Sequence, residues 1–405
     1  MPWITVLRVS VAPRIGILLG LWLVAYSGNV SKLVTSGYWE SVAAQSASLL
    51  VWTAPAVAAC GAWEGLRVRQ SRALQGAPAR TFIGVSFAAL APTLVMGVLA
   101  MALALGLLLP QASGGPNLTT AAVLGMELLV IAAHIAIGYV IGLSLPRVLA
   151  VPVALAGSFV WMAYPAAMNV FWVRQLNGTN LAECCALDQV AAPRSILAPA
   201  LVSIGLLLAA RLVVLRQWGP RILAPVALAA AVSVAAWIVR PLGYDASEPR
   251  PTALRTCSDT QPRVCLWPEQ HGAAKDVVTW ATDAHTRLAA LGVTTAAELS
   301  PRSTAPTARQ IRSLVAASAL PQDIPECAKH GQWPGNRAFG PLTVWLTITA
   351  GEDAQVVTSG YAPDEAAVAT RVLELPRQDQ LAWFRENAKT LTRCDLQPVL
   401  DPKRF

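Results

Sequence analysis

Residues 222–248 read ILAPVALAAAVSVAAWIVRPLGYDASE. From Ile222 to Leu242 the only charge is Arg240, close to the end of the run. At 1.5 Å per residue such a helix is long enough to cross a hydrocarbon core of about 30 Å. Immediately afterwards Gly243, Asp245 and Glu248 open a different kind of chain. The stretch therefore reads as the last membrane crossing, handing over to a soluble domain. The number of crossings before it decides on which side that domain lies.

Upstream, residues 1–242 hold only five of the 23 acidic residues: Glu40, Glu64, Glu127, Glu183 and Asp188. Apolar runs predict seven spans, at about 15–30, 44–62, 82–109, 119–143, 148–170, 196–215 and 222–242, with prolines at most of the breaks. The fold class expected is a polytopic α-helical membrane protein of about seven transmembrane helices, carrying a C-terminal α+β extracytoplasmic domain. Residues 1–14 form an interfacial N-terminal segment, 15–242 the transmembrane domain, 243–262 a linker and 263–405 the outer domain. Within 1–14, Trp3, Ile4, Leu7 and Val11 recur at helical spacing beside Arg8 and Arg14. That pattern suits a helix lying in the interface and also a frayed basic terminus.

The formal charge of +8 invites a nucleic-acid reading, but its distribution excludes one. Residues 1–242 carry 14 Lys and Arg against five acids, and residues 243–405 carry 17 against 18. The excess sits in loops that flank the spans, where basic residues set orientation. With the N-terminus in the cytoplasm, ten arginines (Arg8, Arg14, Arg67, Arg69, Arg72, Arg80, Arg147, Arg211, Arg216 and Arg221) flank cytoplasmic ends. Only Lys32, Arg174 and Arg194 fall in the opposite loops, with Arg240 at the outer end of the last span. The expected location is the cell membrane, with the N-terminus inside and, after seven spans, residues 243–405 outside.

The cysteines bear on the same question. Four of the seven, Cys257, Cys265, Cys327 and Cys394, lie in the soluble part. An even number without CxxC or zinc-finger spacing points to disulfides and an oxidising compartment, and to no metal site. Of three pairings, Cys257–Cys265 with Cys327–Cys394 is favoured. Cys184 and Cys185 fall in a predicted outer loop. They are expected to be free thiols or to pair with another chain, because a bridge between neighbours is strained.

The most distinctive local signal is the loop after the second span, GAWEGLRVRQSRALQGAPAR, residues 61–80. One acid, four arginines and a Gly/Pro stop describe a short charged helix on the cytoplasmic surface, able to fit a groove on a soluble partner, or else a plain positive-inside loop. In span four, Glu127 and His134 are seven residues apart and share a helix face. Ionisable groups inside a membrane usually face the bundle interior or a water-filled path. The two are candidates for a substrate path or a proton-sensitive contact; alternatively Glu127 sits near the outer interface and His134 satisfies a helix–helix hydrogen bond.

The "GAWEGLRVR" stretch resembles the corresponding loop of ABC-2 type transporter permeases, particularly actinobacterial ones. Residues Gly138–Arg147, GYVIGLSLPR, followed by Ala150, Val151 and Pro152, are similar to that family's junction of the fourth and fifth spans. The resemblance covers roughly residues 1–220; the seventh span and the outer domain depart from it. It implies an interfacial helix followed by six spans. It also implies that Trp63, Glu64, Arg67, Arg69 and Arg72 form the loop that couples to an ABC ATPase. Partners would be that ATPase, the lipid bilayer and a second permease copy or homologous permease, with no nucleic acid. Gly16-xxx-Gly20 and Gly138-xxx-Gly142 would permit close helix packing. The resemblance further implies short re-entrant helices within residues 171–195, a segment that otherwise reads as an ordinary outer loop. No G-x-x-x-x-G-K-[ST] motif occurs in the chain. ATP and Mg would thus be held by the partner subunit, with no cofactor bound directly.

In the outer domain helical patterns run over Ala273–Leu291, Thr307–Ser318, Asp364–Leu375 and Gln378–Leu391. Alternation over Thr343–Thr349, followed by Gln355–Thr358, predicts a hairpin. No protease or esterase motif surrounds His271, His285 or His330. Catalytic residues are expected to be absent. The leading expectation is the permease subunit of an exporter. The alternative is a membrane-anchored sensor or envelope assembly factor with an extracellular binding domain.

Overall fold

The computed structural model describes residues 9–71, 82–214, 218–323, 325–331 and 333–405. The chain divides into two units, Met1–Arg250 and Pro251–Phe405. Predicted features at Trp3–Arg8, Arg72–Arg80 and Arg216 fall outside the described residues.

The first unit is helical. Its elements are α1 (Ala12–Val30), α2 (Trp39–Ser48), α3 (Leu50–Gln70), α4 (Phe82–Leu108), α5 (Leu118–Ser144), α6 (Arg147–Ala163), α7 (Phe171–Arg174), α8 (Pro193–Val214) and α9 (Trp218–Val239). Among the described residues, six helices are long and apolar enough to cross a membrane. The pair α2 and α3, bent by 46° at its break, adds a seventh if counted as one span. Near the break Ser46 and Ser48 turn their hydroxyls back onto the carbonyls of Ala43 and Gln45. α5 begins at Asn117, whose side chain accepts from the Thr120 amide at 2.9 Å and donates to Glu40 at 2.7 Å.

Small residues set the tightest packing. Gly61 and Gly65 on α3 lie against α5, and Gly138 and Gly142 on α5 lie against Ala58 and Ala62 of α3. A methyl on Gly61 would stand 2.5 Å from the Ile135 carbonyl oxygen, and one on Gly138 would overlap the Ala58 carbonyl. Backbone meets backbone along this seam, which only small residues allow. Gly16 of α1 instead meets the flexible side chain of Met96 on α4; a methyl on Gly16 would stand 2.9 Å from Met96 Cγ. Both glycine pairs suggested by the sequence thus pack helices of the same chain. The outward faces of α1 and α9 are apolar, with Ile17, Leu18, Leu21, Ile222, Leu223 and Trp237 exposed, as suits lipid contact.

Between α6 and α8 the chain makes short 3-10 turns, the single-turn helix α7 and strand β1 (Gln189–Ala191). β1 pairs antiparallel with β2 (Ser247–Pro249), in the register Gln189 to Pro249 and Ala191 to Ser247. The stretch expected to be a linker therefore begins as part of the first unit. Cys184 and Cys185, expected to be free or paired with another chain, are instead bonded to each other and buried. Their burial removes the surface exposure that the expectation required.

The second unit holds β3 (Thr256–Cys257), β4 (Arg263–Leu266) and β5 (Glu298–Leu299), in the order β3-β4-β5, antiparallel and then parallel. Its helices are α10 (Ala274–Ala289), α11 (Ala308–Ala317), α12 (Asn336–Thr349), α13 (Ala354–Thr358), α14 (Pro363–Leu373) and α15 (Arg377–Thr390). α11 starts with a capping box between Thr307 and Gln310. The predicted hairpin is overturned: Thr343–Thr349 is the second half of α12, and α13 follows it. The apolar set that matters is Ala338, Leu342, Trp345 and Leu346, spaced for one helix face. It buries against Trp383 and Phe384, and the Trp345 and Phe384 rings lie 5.4 Å apart. The threonines that suggested a strand return their hydroxyls to the helix, Thr343 to Phe339 O and Thr347 to Thr343 O, each at 2.8 Å. Disulfides join Cys257 to Cys265 and Cys327 to Cys394.

Candidate functional site

Three arrangements in the first unit place polar groups where apolar ones would pack more easily. The first is at the C-terminal end of α3. The helix continues unbroken through Trp63 to Gln70, rather than ending before a separate surface helix. Glu64 is fully buried. Its carboxylate accepts from the Ser10 hydroxyl at 2.9 Å and pairs with Arg67 at 2.7 Å. Arg67 also donates to the Val9 carbonyl at 3.0 Å, and Arg69 to the Leu143 carbonyl at 3.3 Å. A buried charge must be paired and hydrogen-bonded to be tolerated. Here the pairing ties the N-terminal segment, the end of α3 and the end of α5 into one knot. Of the residues that the sequence suggested for coupling, Glu64 points inward and Arg67 and Arg69 are engaged within the chain. Trp63 is 40% exposed, and Arg72 lies outside the described residues.

The second arrangement lies on α5. Glu127 and His134 are both nearly inaccessible but meet different neighbours. Glu127 shares a hydrogen bond of 2.7 Å with Ser46 of α2. His134 holds the Val130 carbonyl at 2.8 Å through Nδ1. A carbonyl only accepts, so Nδ1 carries a proton, and in the neutral ring Nε2 is an acceptor. His134 lines a cavity of about 400 Å³ between α5, α6, α8 and α9, and Glu127 does not. The two candidates are therefore not brought into one site. The cavity walls include Ile137, Ile141, Val153, Trp161, Val202 and Leu228, with Ser158 beside them. Ser158 is 6% exposed, and its buried Oγ has no hydrogen-bond partner among the described residues.

The third arrangement fastens the chain as it leaves α9. Gln175 and Asn180 donate to the carbonyl of Tyr244, and the Arg174 guanidinium sits 4.0 Å from the centre of the Tyr244 ring. The Ala192 amide and the Ser195 hydroxyl both donate to Ala246 O, at 3.0 and 2.9 Å. Arg250 closes the clamp, with its amide on Asp188 O at 2.9 Å and its guanidinium 4.9 Å from the centre of the Tyr38 ring. The segment 171–195 is thus a folded cap, held by buried Arg174, Gln175, Asn177 and Asn180.

In the second unit a recess of about 540 Å³ is lined by residues 258–263 with His285, Thr295, Ala296 and Ala297. His285 Nδ1 lies 2.7 Å from Thr295 Oγ1. The turn before His271 is structural. Gln270 is buried and donates to the carbonyls of Pro301 and Ser303 at 2.9 and 2.7 Å. Among the described residues no group of three His, Cys, Asp or Glu is placed to hold a metal ion.

Sequence reasoning missed Ser10, Ser46 and Ser158. A serine in an Ala-rich helix carries no signal of its own; only the neighbour it meets gives it meaning. Residues 264–394 match a family described as a Domain of unknown function (DUF7224). No curated protein and no solved structure matches the chain.

Proposed function

We propose that the chain is the membrane-spanning subunit of an ABC-2-like exporter, moving substrate across the cell membrane with ATP hydrolysed by a separate subunit. In this proposal α2 and α3 form one broken span among seven. The N-terminus faces the cytoplasm, where the arginines gather, and residues 251–405 lie outside. The disulfides of the second unit support the exported side.

One observation carries the proposal. α3 runs without interruption from the bundle interior to a charged end at Gln70, and there it is knotted to the N-terminal segment and to α5 through Glu64, Arg67 and Arg69. A push on that end is delivered through the backbone seam into α5, the helix that carries Glu127 and His134. Mechanical coupling needs such a stiff, contiguous path. Glu64 would act as its internal rivet, and the exposed Trp63 with the residues after Gln70 as the contact with the ATPase. A photoreactive amino acid at Trp63 should capture an ATP-binding protein in native membranes. Capture of no nucleotide-binding protein from that position would count against the proposal.

A second reading, a membrane-anchored sensor, is favoured by the clamp at Tyr244–Arg250. That clamp holds the segment after α9 to the folded stretch 171–195, so a signal arriving along the segment would enter the bundle through an ordered connection. The two differ in one observable: a sensor retains full ligand response when no ATPase accompanies it.

A further inference from the structure

The start of α8 and the end of α9 meet at a recess of about 450 Å³, lined by Arg194, Trp237, Ile238, Arg240 and Pro241. Arg194 is the second residue of α8, and Arg240 follows the last residue of α9. Both are exposed, and neither side chain has an ion pair or a hydrogen bond among the described residues. Among those residues no acid lines the recess. Two like charges thus share one space with nothing to offset them, and an anion between them would remove the repulsion. The charges are also unusual in their place. In the orientation proposed above, Lys32, Arg174, Arg194 and Arg240 are the basic residues of 1–242 at this end of the bundle, the end that basic residues generally avoid. Arg174 is already engaged with Asn180 and Tyr244.

The surroundings narrow the class of anion. Trp237, one turn before Arg240, is 75% exposed, as suits a ring lying where hydrocarbon meets headgroups. One turn further into the same helices, Leu197 follows Arg194 on α8 and Val234 precedes Trp237 on α9, and both are exposed. An apolar surface therefore continues from the arginines along the two helices. At the ~30 Å³ that a water molecule takes in the liquid, the recess has room for roughly fifteen water-sized groups, enough for a phosphate with a small alcohol attached. We infer that Arg194 and Arg240 hold the phosphate of an anionic phospholipid, whose acyl chains lie on Trp237, Val234 and Leu197. Guanidinium is the side-chain group best matched to phosphate oxygens. A soluble phosphate ion gains the charges but not the apolar surface. The bound lipid also braces the clamp described above, because Ser195, next to Arg194, donates to Ala246 O. The site requires α8 and α9 to cross a bilayer and is independent of any ATPase.

The test uses the full-length chain purified in a mild non-ionic detergent. It is given an equimolar mixture of phosphatidylglycerol and phosphatidylcholine, and the lipids it retains are weighed by native mass spectrometry. Phosphatidylcholine carries the same phosphate beneath a cationic group, which two arginines repel. Phosphatidylglycerol should be retained at least about tenfold over it, as two basic contacts to one headgroup imply. Arg194→Gln with Arg240→Gln should bring the ratio to within about twofold of unity. Arg194→Lys with Arg240→Lys, which keeps both charges, should keep most of the preference. Lys32→Gln with Arg147→Gln removes two exposed charges from other helix ends and should leave the ratio unchanged. Equal retention of the two lipids by the unaltered chain, or an equal loss in both Gln pairs, would overturn the inference. So would displacement of the retained lipid by excess inorganic phosphate, which would make the site one for a free anion.

Discussion

The seam between α3 and α5 makes a sharp prediction, because one substitution should have opposite signs at two places on one helix. Gly138→Ala puts a methyl into the Ala58 carbonyl, whereas Gly125→Ala puts one into open space thirteen residues earlier on α5. Both gain the same helix propensity, about 1 kcal/mol for Gly to Ala. The difference between the two variants therefore isolates the overlap. Overpacking by one methyl against a backbone that cannot give costs about 1–3 kcal/mol. Gly125→Ala should be neutral to slightly stabilising, and Gly138→Ala should lie about 1–3 kcal/mol below it. The assay is reversible unfolding in mixed micelles titrated with a denaturing detergent and followed by tryptophan fluorescence. If Gly138→Ala proves as stable as Gly125→Ala, α3 and α5 do not meet backbone to backbone, and the proposed path from Gln70 into α5 loses its stiffness.

Other consequences follow at separate points of the chain. Arg67→Ala leaves the buried Glu64 without its ion pair. It should cost roughly 2–3 kcal/mol, the usual penalty being reduced because Arg67 is itself partly exposed. Glu64→Gln in the same chain should recover at least about 1 kcal/mol of that loss, and failure to recover any would mean that Glu64 is not held as a charge. The Cys327–Cys394 bridge closes a separation of 67 residues and Cys257–Cys265 one of eight. Loop entropy therefore predicts that breaking the first by Cys327→Ser with Cys394→Ser costs about 4 kcal/mol, against about 2.5 for the second pair. Equal losses in denaturant unfolding would show that loop closure does not dominate. Asp395 is held below its ordinary value of 3.8, chiefly by the hydrogen bond from Arg393. A carboxylate held low in the folded state adds stability above its unfolded value, and that stability is lost as the pH falls through the folded one. Asp395→Asn should accordingly flatten the acid side of the stability profile below about pH 4, with little change at neutral pH. An unchanged acid limb would remove the pair from the account.

Legibility differed sharply between kinds of feature. Long apolar runs suit a hydrocarbon layer, so α1, α4, α5, α6, α8 and α9 were visible in composition, whereas the break between α2 and α3 inside the run predicted at 44–62 was not. Cysteine count and spacing pointed to the two pairings of the second unit. The α12 segment was misread because Val344, Leu346 and Ile348 alternate with Thr343, Trp345, Thr347 and Thr349. Alternation and helical spacing coexist in a short run, and the helix is decided by Trp383 and Phe384, nearly forty residues away. The serines that complete the polar arrangements had no signature, since Ser10 and Ser46 acquire their roles from residues 54 and 81 positions distant. Glu64 stood out as the one acid among arginines, which suggested a surface partner. Its burial against Ser10 depends on an N-terminal segment whose path no local pattern reveals. The clamp on Tyr244–Arg250 was hidden for a related reason, because a Pro- and Ser-containing stretch reads as a tether whether or not a neighbouring strand is there to pair with it.

The central claim is that an odd number of crossings separates the arginine-rich end of the bundle from the disulfide-bonded domain. Two exposed positions test it most directly, Ser71 just beyond α3 and Asp364 on α14. Each is changed to cysteine, and whole cells are treated with a membrane-impermeant thiol reagent; the native free Cys60 is buried. The account predicts labelling of Asp364→Cys in intact cells and of Ser71→Cys only after the membrane is opened. Labelling of both from the same side, or of Ser71→Cys alone in intact cells, would contradict it.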